Sequence, residues 1–143
     1  MSEPFRYCLR VRYGECDAQK VVFNSRYGDY VDLATTEFIR ALGFGNEVIS
    51  GQLDYQLVRQ TTEWKAPARF DDVLALSVGS RHLGTTSFTL AVEFRRLGET
   101  AVLAHSETVY VMVTPELSKT PLPPAFRAAL AAGAPDIMVS HAG

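Results

Sequence analysis

Three features are scarce in this sequence of 143 residues: cysteine, long apolar runs, and an excess of charge of either sign. The two cysteines, Cys8 and Cys16, are too few for a disulfide framework and lack the spacing of metal ligands. We therefore expect reduced thiols and no bound metal. No stretch approaches the roughly 18–20 apolar residues that span a bilayer, so we expect no membrane partner.

The charge balance and the N-terminal sequence argue against two further classes of protein. A net charge of −2 gives no reason to expect a nucleic-acid partner. The N-terminus reads Met-Ser-Glu-Pro-Phe-Arg, without the basic start and apolar core of a secretory signal, so we expect a cytoplasmic protein.

The composition that is present, 47% hydrophobic and 21% charged, is that of an ordinary globular domain. A chain of this length suits one domain, so we assign residues 1–143 to a single unit. The alanine- and glycine-containing tail, about residues 133–143, is expected to be loosely held.

Hydrophobic periodicity divides the chain into strands around one helix. Alternation from Phe5 to Tyr13 predicts a strand, and apolar residues at helical spacing predict a helix over 26–42 that ends at Gly43. A short exposed helix is predicted over 125–132. Four β-rich segments with brief links predict an antiparallel meander: 55–66, 73–82, 86–95 and 101–114. This order of elements indicates an α+β fold in which the sheet curls around the helix.

Several segments resemble the 4-hydroxybenzoyl-CoA thioesterase family of hotdog proteins. The specific part is an acidic-x-Asp loop followed by a Val-Val-aromatic stretch and the predicted helix. The matching segments are Tyr13-Gly14-Glu15-Cys16-Asp17, Val21-Val22-Phe23-Asn24 with Tyr27, Trp64 to Leu74, and Thr120 to Pro123. The resemblance covers most of the chain.

The resemblance implies an antiparallel sheet of five or six strands wrapped around one long central helix. It implies acyl-CoA as substrate, no cofactor, and dimers or tetramers with active sites between protomers. It places the catalytic carboxylate at Asp17 and the backbone N–H that polarises the thioester carbonyl at about Asn24. The residues expected to contact the substrate are Phe23, Ser25, Tyr27 and Trp64.

This chain departs from the family pattern at three places. Lys20 stands where a glycine is usual, and Asn24 stands where the family has tyrosine or histidine. The basic cluster that grips the CoA phosphates in the hydroxybenzoyl-type branch is replaced by Gly84-Thr85-Thr86. We therefore do not assign hydroxybenzoyl-CoA as the substrate.

The sequence leaves two roles open for Asp17, direct attack on the thioester or activation of water. The competing function is a non-catalytic acyl-CoA-binding hotdog protein, because a fold does not fix an activity. Dehydration of a 3-hydroxyacyl chain is disfavoured, because that chemistry uses a histidine and none lies near the helix start. The same distance from any histidine argues against Cys16 as a thiol nucleophile.

Overall fold

A six-stranded sheet and one long helix form the structure, a computed structural model that describes residues 2–143. The strands are β1 (Phe5–Arg10), β2 (Tyr55–Trp64), β3 (Val73–Leu83), β4 (Ser87–Arg96), β5 (Ala104–Met112) and β6 (Met138–Ser140). The helices are α1 (Arg26–Ile39), α2 (Gly45–Ser50) and α3 (Pro124–Ala132). The predicted α+β class is confirmed.

The strands follow the order β2-β5-β4-β3-β1-β6 across the sheet. Every neighbouring pair is antiparallel except β1 and β6, which run parallel. Strand β2 therefore lies at one edge, next to β5, and its outer backbone groups have no strand partner within residues 2–143.

Helix α1 lies against one face of the sheet because its apolar stripe matches the inward-facing side chains of the strands. Phe38 is fully buried and packs 5.5 Å from the ring of Phe5 in β1. At the other end of the helix, the ring of Tyr27 lies 5.3 Å from that of Phe94 in β4. The helix is thus fixed along its length by aromatic contacts, which set the position of its N-terminus.

The helix does not stop at Gly43, contrary to the prediction. A wider π-helical turn, Arg40–Phe44, joins α1 to α2. Gly43 adopts a φ of +95°, so the helical conformation breaks there as expected, but the chain resumes a helix directly afterwards. A single αL residue kinks the helical segment without ending it.

One expectation for the C-terminal part is wrong. Helix α3 is not simply exposed, because Phe126 and Leu130 are buried and Phe126 packs 5.5 Å from Phe88. Part of the tail joins the sheet, since β6 pairs with β1 and the His141 N–H donates to the Cys8 carbonyl at 2.8 Å.

Among residues 2–143, no helix is long and apolar enough to span a membrane.

Candidate active site

Asp17 occupies a tight hairpin turn between β1 and α1. Its N–H donates to the Val21 carbonyl, and its own carbonyl accepts from the Lys20 N–H, each at 2.9 Å. Its Oδ1 accepts from the Gln19 N–H at 2.8 Å, the Asx turn that suits aspartate at such a position. Oδ2 has no donor within residues 2–143, and the side chain is exposed. One carboxylate oxygen therefore holds the turn, and the other is free for chemistry.

Lys20 takes the backbone conformation that glycine favours, at the position where the family pattern has a glycine. Its φ is +61°, in the left-handed region where glycine is favoured because it has no Cβ. The turn thus keeps the backbone conformation that glycine favours, despite the lysine side chain.

Glu15 ties the same loop to helix α1. Its Oε1 accepts from the Tyr30 hydroxyl and from the Arg12 N–H, both at 2.8 Å, and its Oε2 accepts from the Arg12 guanidinium at 3.0 Å. Burial raises the pKa of Glu15, but these hydrogen bonds outweigh it and hold the pKa below its usual range. Glu15 is thus an ionised anchor of the loop, a role that its position beside Asp17 in the sequence did not predict.

The start of α1 leaves backbone donors free. The Arg26 N–H donates to the Phe23 carbonyl at 2.9 Å, and the Tyr27 N–H donates to the Asn24 carbonyl at 3.4 Å. The N–H groups of Asn24 and Ser25 have no acceptor in the part of the chain that the structure describes. Neither side chain caps the helix. These two amides carry the partial positive charge of a helix start, so they suit a developing oxyanion.

A cleft of about 280 Å³ opens beside the helix start. Three of the residues predicted for the site line it: Asn24, Tyr27 and Trp64. Tyr27 is buried, its ring lies 5.9 Å edge-to-face from Trp64, and its hydroxyl accepts from the Ala68 N–H at 3.2 Å. Trp64 is half-exposed at the end of β2. These contacts make a firm aromatic wall at the mouth of the cleft.

The other predicted residues lie outside this cleft. Asp17 is on the neighbouring turn, and the Phe23 side chain is 52% exposed beside it. Ser25 is exposed and contributes a free N–H rather than a side-chain contact. The cleft is also lined by Lys65, and by Val22, Ala66 and Pro67, to which the sequence reasoning assigned no role in the site. Their place in the two segments that carry the family resemblance, 21–24 and 64–74, was the available signal.

Cys16 has the environment of an unreactive thiol. Its Sγ donates to the Arg12 carbonyl at 3.6 Å. Burial, with the neighbouring carboxylates of Glu15 and Asp17, raises its pKa, so the thiolate is disfavoured. A group of three or more histidine, cysteine or acidic side chains suited to a metal ion is also not found in residues 2–143.

The chain is similar to proteins of one known superfamily. The thioesterase-like superfamily matches residues 11–130. The chain belongs to this superfamily. It is 30% identical over 112 residues to the acyl-CoA thioester hydrolase YbgC of Escherichia coli, covering 78% of this chain and 83% of that protein.

Solved structures of thioesterases also superpose on this chain. A gentisyl-coenzyme A thioesterase superposes with a TM-score of 0.77 at 30% identity, covering 87% of this chain and 98% of that one. A 1,4-dihydroxy-2-naphthoyl-CoA thioesterase from Synechocystis has a TM-score of 0.78 at 22% identity, covering 88% and 94%, a likeness of fold alone. The predicted hotdog fold and thioester hydrolase class are thus confirmed. The narrower resemblance to the 4-hydroxybenzoyl-CoA branch stays a prediction.

Proposed function

We propose that the protein hydrolyses the thioester of an acyl-coenzyme A with Asp17 as its catalytic residue. The observation that carries this proposal is the state of the Asp17 carboxylate. One oxygen is fixed by the turn, and the other has no donor within residues 2–143, on an exposed side chain of the loop that leads into the N–H groups at the start of α1. Hydrolysis needs both a base or nucleophile and an oxyanion site, and these two neighbouring segments supply one each.

Asp17 acts by one of two routes, as a nucleophile or as a general base. In the first, Oδ2 attacks the thioester carbon, the C–S bond breaks with CoA leaving as thiolate, and water cleaves the resulting mixed anhydride. In the second, Oδ2 takes a proton from water as the water oxygen attacks that carbon, and the C–S bond of the resulting tetrahedral intermediate then breaks, with the CoA thiolate leaving and taking up the proton. In both, negative charge develops on the carbonyl oxygen, where the N–H groups of Asn24 and Ser25 stabilise it.

We further propose that a second copy of the chain completes each site. Asp17 does not line the cleft of its own chain, and β2, which carries Trp64, is an uncovered edge strand. Leu57 and Val58 on β2 are about half-exposed, an apolar edge that soluble proteins usually cover. Sedimentation at micromolar concentration should therefore give a dimer or tetramer, and a fully active monomer would contradict this.

The test of the catalytic role is Asp17→Asn. Asparagine keeps an oxygen for the Gln19 N–H, so the turn should survive, but the negative charge and the basicity are lost. Turnover of the best substrate in a panel of acyl-CoAs should fall at least about 10²-fold, while acyl-CoA binding and melting temperature stay close to those of the parent. Release of the free thiol of CoA is the readout.

The matched control is Asp71→Asn, which removes an exposed loop carboxylate whose ion pair with Arg10 is also exposed. It should leave turnover unchanged. Full activity of Asp17→Asn would end the catalytic assignment. Binding of acyl-CoA without hydrolysis by the parent protein would favour the alternative, a non-catalytic acyl-CoA-binding protein.

A further inference from the structure

The face of the sheet that is turned away from α1 carries a groove of about 430 Å³. Strand β3 shows which face this is, because its side chains alternate. Leu74 and Leu76 are buried in the core beneath the helix, whereas Ala75 and Ser77 point the other way and line the groove. The groove shares no residue with the cleft beside the start of α1. It is therefore separate from the candidate active site.

Arg6 of β1 lines this groove with a positive charge that the chain does not balance. Its Nε is buried and has no hydrogen-bond partner within residues 2–143. No ion pair in this part of the chain includes Arg6. A buried N–H without an acceptor is costly and rare in folded proteins, so Arg6 calls for an acceptor from outside residues 2–143.

The other two arginines of the groove already have partners. The Arg95 guanidinium lies 3.1 Å from the Glu93 carboxylate, and the Arg96 guanidinium donates to the Asp72 carboxylate at 2.9 Å. Both positive charges are thus neutralised by neighbouring side chains. The charge that the groove has to offer a ligand is that of Arg6.

Two further carboxylates line the groove, and neither pairs with Arg6. Glu99 lies 4.0 Å from the Arg96 guanidinium. Glu3 is exposed, so water can hydrate its carboxylate. The buried Nε–H of Arg6 has no such access to solvent, so the groove needs an acceptor more than it needs a cation.

Ser77 places a second donor beside Arg6. The two residues are direct cross-strand partners in the β1–β3 pair, and both line the groove. A serine hydroxyl can donate one hydrogen bond, and the Nε–H and Nη–H groups of a guanidinium form a fork that fits the two oxygens of a carboxylate. One free positive charge matches one carboxylate, whereas a phosphate monoester carries close to two negative charges.

We propose that this groove binds a small organic acid. Its carboxylate accepts from Nε of Arg6 and from the Ser77 hydroxyl, and its apolar body lies against Pro4 and Leu97. These two residues line the same groove, and Leu97 is about half-exposed in the free protein. The bound acid supplies the acceptor that the buried Nε–H lacks. The site lies across the sheet from the cleft, so it does not depend on the proposed thioesterase function.

NMR titration of the ¹⁵N-labelled protein with benzoate and butanoate at pH 7 tests the site, with benzamide and butanamide as uncharged counterparts. At least one acid should bind at least about 10-fold more tightly than its amide, with shifts concentrated at Arg6 and Ser77. Arg6→Met keeps the apolar stem but removes the guanidinium, so it should weaken the acid at least about 10-fold. Arg6→Lys keeps the charge without the fork and should weaken it similarly.

The control is Arg10→Met, because Arg10 lies on the same face of β1 but already forms an exposed ion pair with Asp71. It should keep the parent's affinity within about 2-fold. No binding of either acid would overturn the inference. So would an affinity unchanged in both Arg6 variants, with shifts at Asn24 and Trp64, because the acid would then occupy the cleft. A parent oligomer that binds neither acid and dissociates in Arg6→Met would show instead that a second copy fills the groove.

Discussion

The hydrogen bond between Tyr30 and Glu15 should contribute measurably to stability, and Tyr30→Phe isolates it. Tyr30 is 1% exposed, and its hydroxyl donates to a carboxylate oxygen at 2.8 Å. Hydrogen bonds to charged groups contribute about 1.5–3 kcal/mol. In the variant Glu15 keeps its bonds from Arg12, so no charge is stranded, and we expect a loss of about 1–2 kcal/mol in the free energy of unfolding at pH 7.

This loss should depend on pH in a direction set by Glu15. The folded-state pKa of Glu15 lies below its value in the unfolded chain, so its ionisation stabilises the fold above the unfolded pKa of about 4.3. That stabilisation is lost as the pH falls through the folded-state pKa. The difference between parent and Tyr30→Phe should therefore be full at pH 7 and shrink as the pH is lowered below about 4.3.

Urea denaturation at pH 7 and at successive pH values down to about 3 gives both quantities. Tyr110→Phe is the matched control, because Tyr110 is also buried but its hydroxyl meets the neutral Thr35 hydroxyl at 3.4 Å. Its smaller cost should not change across this pH range. A Tyr30→Phe loss below about 0.5 kcal/mol, or one equal at pH 7 and pH 3, would refute the role of Glu15 as an ionised anchor.

Two further substitutions test the core and the Asp17 turn by urea denaturation. Phe38→Ala should cost about 3–5 kcal/mol, because Phe38 is fully buried against Phe5, and a loss under about 1 kcal/mol would contradict this packing. Lys20→Gly should raise stability by about 0.5–1 kcal/mol, because a lysine at a φ of +61° is strained, whereas Lys119→Gly at a residue without positive φ should lower it. A destabilised Lys20→Gly would show that the turn needs the lysine side chain.

Local sequence patterns predicted most of the fold. Alternation located every long strand to within about three residues, and helical spacing located the start of α1 at Arg26. The predictions that failed concern elements whose contacts lie far away along the chain. Strand β6 forms because β1 offers a free edge, and α3 is buried because Phe88 and Phe44 meet Phe126. A tail or a short alanine-rich helix does not reveal such partners in its own residues.

The candidate site also contains residues that a local motif could predict and residues that it could not. Asp17 and Asn24 stand in a local motif, so the resemblance could name them. The role of Glu15 depends on a hydroxyl 15 residues further along the chain, and the orientation of Gln60 depends on the pairing of β2 with β5, 48 residues away at Thr108. Register between strands is set by the whole sheet, so no local pattern predicts which side chain of β5 Gln60 meets.

The uncapped start of α1 is the feature that best connects stability with the proposed chemistry. Asn24 and Ser25 are residue types that cap helices well, and a side-chain cap contributes about 1 kcal/mol. Ser25 nevertheless adopts helical angles, φ −69° and ψ −17°, instead of the extended conformation from which a side chain reaches back to the backbone. The Phe23 N–H donates to the Glu15 carbonyl at 3.0 Å, which ties the residues before the helix to the Asp17 loop. The helix therefore lacks the stabilisation that a side-chain cap would give, and the N–H groups of Asn24 and Ser25 stay available to donate to an acyl oxygen. We infer that the helix start is shaped to bind a ligand rather than to be capped by its own side chains.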